Sequence, residues 1–472
     1  YFFEQTQPIP TYIFGFWIGA FKRIEACTSS GMVVAANIPE YEDIQHARYG
    51  LDFACKAYEF LKGTFGLDLP IKQLELICLP QTHGIGMENF GTPTFLSDFF
   101  LVTSKTPLST RMRIKRLICH EIIHQWHGNM LTPLSFDELW LKEGMARLFE
   151  FETVQAIDGL VCGLSSQNYR QQQRKEATHQ ETVFSTELDF INQVTFQSMV
   201  ADAQPTAHPI FQQHRGNTTS IQDSFDVLTY GKGACILKML ASFLGRGNFK
   251  AAIQKFTLKF QNSSVSGSDL WLTIQDVCKP EFSVSELMIG WLERPCFPLI
   301  SVRLEEGGSN LILTQFPFFP LQERLDGTVP CWCIPVQMLV EFDDGTFVEI
   351  NTVMYDRNLT INLDLLVDKH LQQNECLPTH GLDSSSSHHD GGRARVGSWA
   401  AGLGLNLELW SGRQHRTKQQ RRVKSFIPNR DGAGYYCVAI DSDELWSACL
   451  GALPSPPSKA SADTSYNATA PP

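Results

Sequence analysis

The chain has 472 residues, 43% of them hydrophobic and 19% charged, enough to bury the cores of about two to four globular domains. A net charge of −11 argues against nucleic acid as the main partner. Thirteen cysteines, odd in number and without paired zinc-ribbon spacing, exclude a dense disulfide framework and tilt the compartment, otherwise unknown, towards the cytoplasm.

Residues 1–37 read as extended chain, with a Pro-Ile-Pro turn and the hairpin signal Thr28-Ser-Ser-Gly31. Their longest apolar run, Tyr12 to Phe21, is expected to be a buried strand, since it has about half the length of a membrane span. No basic segment or cleavage site precedes it, so neither a signal peptide nor a transmembrane segment is expected in this chain. The chain begins at Tyr1 rather than Met, which leaves a membrane-anchored or secreted parent open.

From Glu40 to Phe65 the apolar positions Ile44, Ala47, Leu51, Ala54, Tyr58 and Leu61 keep a helical period. Leu74 to Leu79 predicts a strand, leading into the glycine-rich loop His83 to Gly91. Helices are expected over 111–128 and 137–155, then over 226–245, 249–260, 268–278 and 284–293; polar residues 163–182 suggest a surface insertion. Beyond Pro298 the pattern changes to short strands over Leu299–Leu304, Leu311–Gln315, Cys331–Phe342 and Thr346–Val353. Residues 377–430, with Ser384 to Ser387, His388-His389 and the basic run Arg413 to Lys424, cannot bury a core and predict a flexible insertion. Residues 446–472 read as a disordered tail.

The most informative stretch is His120-Glu121-Ile-Ile-His124, followed by Glu143 in Leu141-Lys142-Glu143-Gly144. Two histidines four residues apart lie on one helix face, the separation two ligands need to share one Zn²⁺. Glu121 sits at the rim of that face, where it can act on a water without binding the metal. Glu143 supplies a third ligand and leaves a fourth position open, the mark of a catalytic zinc. Apolar residues at 117, 118, 122, 123 and 126 predict a buried helix, where two unpaired histidines would be costly. His127 is expected to pack or to support the ligands rather than to bind metal.

These motifs resemble the zinc aminopeptidases of the gluzincin group, the alanyl aminopeptidase (aminopeptidase N) family. The resemblance rests on Gly86-Met87-Glu88-Asn89, His120-Glu-x-x-His124-Gln-Trp, Leu139-Trp-Leu-x-Glu143-Gly144 and Leu228-Thr-Tyr230-Gly-Lys232-Gly-Ala234. It covers about residues 1–355 and returns at Gly434-Tyr-Tyr436. It implies an α+β fold: a thermolysin-like zinc catalytic domain over 38–298, followed by a β-sandwich domain over 299–445 that 377–430 interrupts. Residues 1–37 are then the last strands of an incomplete N-terminal β-domain, and the chain is truncated at both ends relative to the family.

The resemblance further implies peptide substrates with a free N-terminus, one Zn²⁺ held by His120, His124 and Glu143, Glu121 as general base and Tyr230 as oxyanion donor. Glu88 would hold the α-ammonium, and Gly86, Met87 and Asn89 would line the substrate. Four positions depart from the family pattern. Ile85 replaces a Gly, His127 a Phe, Lys142 an Asn and Cys437 an Arg. The first expectation is thus a zinc-dependent aminopeptidase. The alternatives are a non-catalytic paralogue that keeps zinc as a binding module, and a related hydrolase acting on another substrate such as an epoxide. Oligomeric state is not legible.

Overall fold

The computed structural model describes residues 5–159, 186–213, 218–318, 331–368 and 421–451. The described chain is a mixed α/β assembly with several sheets. The first sheet has five strands in the order β1-β2-β3-β5-β4: β1 Phe21–Cys27, β2 Val33–Pro39, β3 Gln73–Leu79, β4 Gly86–Met87 and β5 Thr94–Leu96. β2, β3 and β5 run parallel, while β1 and β4 pair antiparallel at the two edges. The expected strand over Tyr12–Phe21 is not formed. Residues 14–20 join no ladder, and Phe14, Phe16 and Ile18 point outward, 68–91% exposed. Apolar content there does not meet the other requirement of a strand, a partner for its N–H and C=O groups.

Helix α1, Arg48–Phe65, buries Leu51, Ala54, Tyr58, Leu61 and Phe65 and ends on Gly66 at φ 71°. That left-handed position suits glycine, whose N–H caps the carbonyl of Lys62. Helix α2, Leu108–Ile123, carries the histidine motif, and α3, Leu139–Gly159, carries Glu143 with fifteen buried residues. α2 is shorter than the expected 111–128. After His124 the N–H groups of Asn129, Met130 and Leu131 each reach five residues back, and Gly128 at φ 138° turns the chain towards a two-stranded ladder of β6, Leu131–Pro133, and β7, Ser263–Val265.

A wide turn at Leu228–Lys232 leads into α4, Gly233–Leu244, followed by α5 Arg246–Phe260, α6 Gly267–Cys278 and α7 Val284–Leu292. α3 and α4 cross where Gly144 and Gly233 meet: a Cβ on Gly144 would stand 2.8 Å from the carbonyl carbon of Gly233. That approach seats the Tyr230 turn against Glu143.

The remaining strands are β8 Pro298–Leu304, β9 Asn310–Pro317, β10 Ile334–Phe342, β11 Phe347–Met354, β12 Asn358–Asn362, β13 Val423–Ile427 and β14 Cys437–Ile440. They form sheets ordered β12-β9-β8-β14 and β11-β10-β13. Three expected boundaries are corrected. β10 starts at Ile334 rather than Cys331, because the Gln315 amide takes both the N–H and the C=O of Trp332. Residues 423–427, expected in a flexible insertion, pair with β10, and their basic neighbours meet acids: Lys424 to Glu341 at 2.7 Å and Arg421 to Asp344 at 2.9 Å. A closing helix, α8 Asp443–Gly451, takes the start of the expected tail because Leu445 and Ala448 find cover. The polar insertion at 163–182, the stretch 377–420 and the tail from 452 lie outside the described residues.

A buried ion pair ties the helices to these sheets. Lys232 Nζ lies 2.9 Å from Asp202 Oδ2 and donates to the carbonyls of Arg294 and Cys296. Asp202 also accepts from Cys296 N–H and the Tyr435 hydroxyl.

Candidate metal centre

His120 on the last turn of α2, His124 at its cap and Glu143 on the second turn of α3 converge, with one ligand atom from each lying within 4.8 Å of the others. Hydrogen bonding sets the tautomers. His124 Nδ1 must donate to the carbonyl of His127, 2.9 Å away, because that oxygen can only accept. His120 Nδ1 faces Glu150 Oε2 at 2.9 Å. Both Nε2 atoms therefore turn inward, 3.1 Å apart, and Glu143 Oε2 faces them at 3.4 and 3.2 Å without accepting a hydrogen bond. Three converging lone pairs repel unless a positive charge sits among them. Burial alone would lower the pKa of His120, yet the carboxylates of Glu143 and Glu150 beside it raise it to about 10. The three side chains could hold a cation, and a His-His-carboxylate set with supported imidazoles suits Zn²⁺.

Glu121 lies 4% exposed beside this cluster, and its Oε2 has no hydrogen-bond partner. Burial, against the opposing pull of His120, pushes its pKa up to about 8. Its Oε1 rests where a Cβ on Gly86 would be, 2.2 Å away, so the β4 edge passes directly over the carboxyl group. Tyr230 stacks on His120 with ring centroids 5.8 Å apart, and among the described residues its hydroxyl makes no hydrogen bond. Burial, then the charge of Glu143, holds its pKa well above the ordinary tyrosine value. Beside it lies a cavity of about 240 Å³ lined by Arg147, Gln193, Phe225 and Asp226.

All nine residues singled out from the motifs are described. The cluster brings together His120, His124, Glu143, Glu121 and Tyr230, with Gly86 against Glu121. Met87 lies half-buried in the same edge strand. Asn89 is turned away: its side chain donates to the Ile13 carbonyl at 3.1 Å and fastens the N-terminal segment. The His127 ring lies outside the cluster, edge-on to Phe65 and 3.3 Å from Thr257 Oγ1, and burial lowers its pKa to about 3. Its contribution to the site is its backbone carbonyl.

Glu88 is 5% exposed and already paired, its Oε1 standing 2.5 Å from Lys142 Nζ. Burial opposes its ionisation, but the Lys142 charge prevails and keeps the carboxyl below its ordinary pKa. Lys142 Nζ also meets Glu143 Oε1 at 2.8 Å and lies over the rings of Tyr12 and Phe225.

Sequence reasoning missed several supporting groups. Glu150, two turns beyond Glu143 on α3, was detectable from its seven-residue spacing; it also takes Arg147. Gln125 and Asn129 hold the Glu88 carbonyl, and Gln125 accepts from Gly91 N–H. Tyr12 enters from a distant segment that no spacing rule connects to the site.

Residues 49–291 match the Peptidase family M1 domain, and the chain belongs to that family. It is 28% identical over 318 residues to a leucyl aminopeptidase of Saccharolobus solfataricus, covering 67% of this chain and 37% of that protein. It is 26% identical over 435 residues to the Tricorn protease-interacting factor F2 of Thermoplasma volcanium, covering 91% of this chain and 50% of the relative. With endoplasmic reticulum aminopeptidase 1 of Mus musculus it shares 27% identity over 370 residues, 73% of this chain and 37% of the relative. These matches span between 37% and 50% of the relatives' own lengths. Among the described residues no helix is long and apolar enough to cross a membrane.

Proposed function

We propose that this chain is a zinc-dependent aminopeptidase that hydrolyses the first peptide bond of peptides. The observation that carries the reading is Glu121, a buried carboxyl group whose Oε2 has no hydrogen-bond partner, beside His120, His124 and Glu143, whose ligand atoms converge. The domain scheme that goes with it is a thermolysin-like catalytic unit over 38–298 and a β-sandwich over 299–445. Aminopeptidase relatives support the substrate class.

Zinc held by His120, His124 and Glu143 would supply a Lewis acid for the scissile carbonyl and the attacking water. Glu121 takes a proton from that water and passes it to the leaving amine. The Tyr230 hydroxyl donates to the oxyanion that develops on the carbonyl oxygen. Gly86 and Met87, half-buried in the edge strand of the first sheet, offer backbone groups along which an extended substrate can pair. Glu150 and the His127 carbonyl fix the two imidazoles. A module keeping the metal for stability alone would have no use for Glu121, whose unpaired burial is a cost.

The test is zinc content by plasma emission, followed by hydrolysis of alanyl- and leucyl-coumarin amides with free and with acetylated amines. Stoichiometric zinc and chelator-sensitive release that Glu121→Ala abolishes are expected. Undiminished release by that variant, or full zinc without release from any of the four amides, would overturn the reading.

A further inference from the structure

Lys142 is the feature that the proposed mechanism does not use. Its ammonium stands 2.5 Å from Glu88 Oε1 and 2.8 Å from Glu143 Oε1, and the side chain is 2% exposed. The rings of Tyr12 and Phe225 lie 5.1 and 5.7 Å from Nζ, closing it in from two sides. Lys142 thus does to Glu88 what the free amine of a peptide would do, from within the chain. A second ammonium brought to Glu88 would have to displace a buried cation or sit against it, and like charges repel strongly at such range. The ammonium has three N–H groups, two of which face the carboxylates.

We propose that Lys142 sets the specificity of this site for peptides whose N-terminal nitrogen is uncharged, such as N-acylated ones. An N-acylated substrate brings no second cation against the Lys142–Glu88 pair, whereas a free α-ammonium does. The proposal rests on the peptidase reading for the position of the substrate, but it can be tested by binding alone.

The experiment titrates alanine hydroxamate and N-acetyl-alanine hydroxamate into the zinc-loaded chain by calorimetry, with Lys142→Asn and Lys142→Met beside the wild type. The hydroxamate group chelates the metal in both ligands, so their ratio reports the amine end. The wild type is expected to bind the acetylated ligand at least tenfold more tightly. Both variants, which leave Glu88 without its cation, should reverse the preference by at least tenfold. Lys142→Met keeps the side chain's length and checks against loss of packing. Tighter binding of the free amine by the wild type, or a ratio that neither variant moves, overturns the proposal. Zinc-dependent binding with the expected ratio but no hydrolysis of any coumarin amide overturns the peptidase reading and leaves the specificity intact. Absence of zinc-dependent binding by either ligand overturns both.

Discussion

Gly144→Ala isolates the close crossing of α3 and α4 that seats the Tyr230 turn against Glu143. The new methyl group would stand 2.8 Å from the Gly233 carbonyl carbon, 3.1 Å from its Cα and 3.2 Å from the Ala234 nitrogen. Carbon contacts settle at about 3.5–4.0 Å, so α3 and α4 must part by roughly 1 Å. Overpacking against backbone costs about 1–3 kcal/mol, while replacing a helical glycine by alanine returns up to about 1 kcal/mol, leaving a loss of roughly 0–2 kcal/mol. Gly63→Ala in α1 is the control: nothing lies within 4 Å of its added Cβ, so the same exchange should stabilise by about 0.5–1 kcal/mol. Tyr230 sits three residues before Gly233, and a shift of about 1 Å in a reacting group can lower turnover roughly 100-fold. Urea midpoints for the three proteins measure the first effect, and turnover at equal zinc content the second. A Gly144→Ala protein as stable as Gly63→Ala would refute the close crossing, and full turnover would refute its link to Tyr230.

Glu121→Ala should keep zinc and lose about 10²–10⁴-fold in turnover, whereas His124→Ala should lose both, as metal analysis beside the coumarin assay would show. Glu150→Gln removes the carboxylate from His120 Nδ1 and should weaken zinc about 10- to 100-fold in competition with a chelator. Asp202→Ala strands the fully buried Lys232 and should cost about 3–5 kcal/mol in urea unfolding. His208 and Asp226, 2.7 Å apart, predict a pH window for stability. Their bond raises His208 above 6.5, so its contribution is complete below that value and fades as pH rises through the folded pKa. Burial opposes ionisation of Asp226, but His208 and the N–H groups of Leu228 and Thr229 hold it below 3.8, so its share is complete above that value and fades as pH falls through the folded pKa. Asp226→Asn should flatten the window, and unfolding midpoints from pH 3 to 9 would reveal a failure to do so.

Periodic burial made most of the fold legible. α6, α7 and the four strands expected after Pro298 lie within a few residues of their expected places, and α1 ends where expected but starts at Arg48 rather than Glu40, because each presents one apolar face to a core. The misses occur where backbone partners decide the structure. Tyr12–Phe21 is apolar enough for a strand, but no ladder takes its polar groups. Val423–Ile427 was hidden beside a basic run, and it is a strand because Val423 and Phe426 are buried against β10 while the neighbouring charges find acids across the sheet. The end of α2 was set by a turn with five-residue bonds around Gly128, which side-chain spacing does not encode.

The site divides in the same way. Spacing on a helix is a matter of local geometry, so His120 and His124 could be read together, while Glu143, on α3, joined them through the order of the motifs. What surrounds them could not. A lysine next to a glutamate in a helix ordinarily carries its charge to solvent, and in this chain the burial of α3 removes that exit. Enclosed by Tyr12 and Phe225, Lys142 has the carboxylates of Glu88 and Glu143 as its partners. Glu143 divides its two oxygens accordingly, Oε1 to the lysine and Oε2 to the histidines. Glu88, whose motif implied a receptor for a peptide's amine, is therefore occupied from inside. The motif specifies where the carboxylate stands, and one departure eighteen residues past the second histidine sets an internal cation against it.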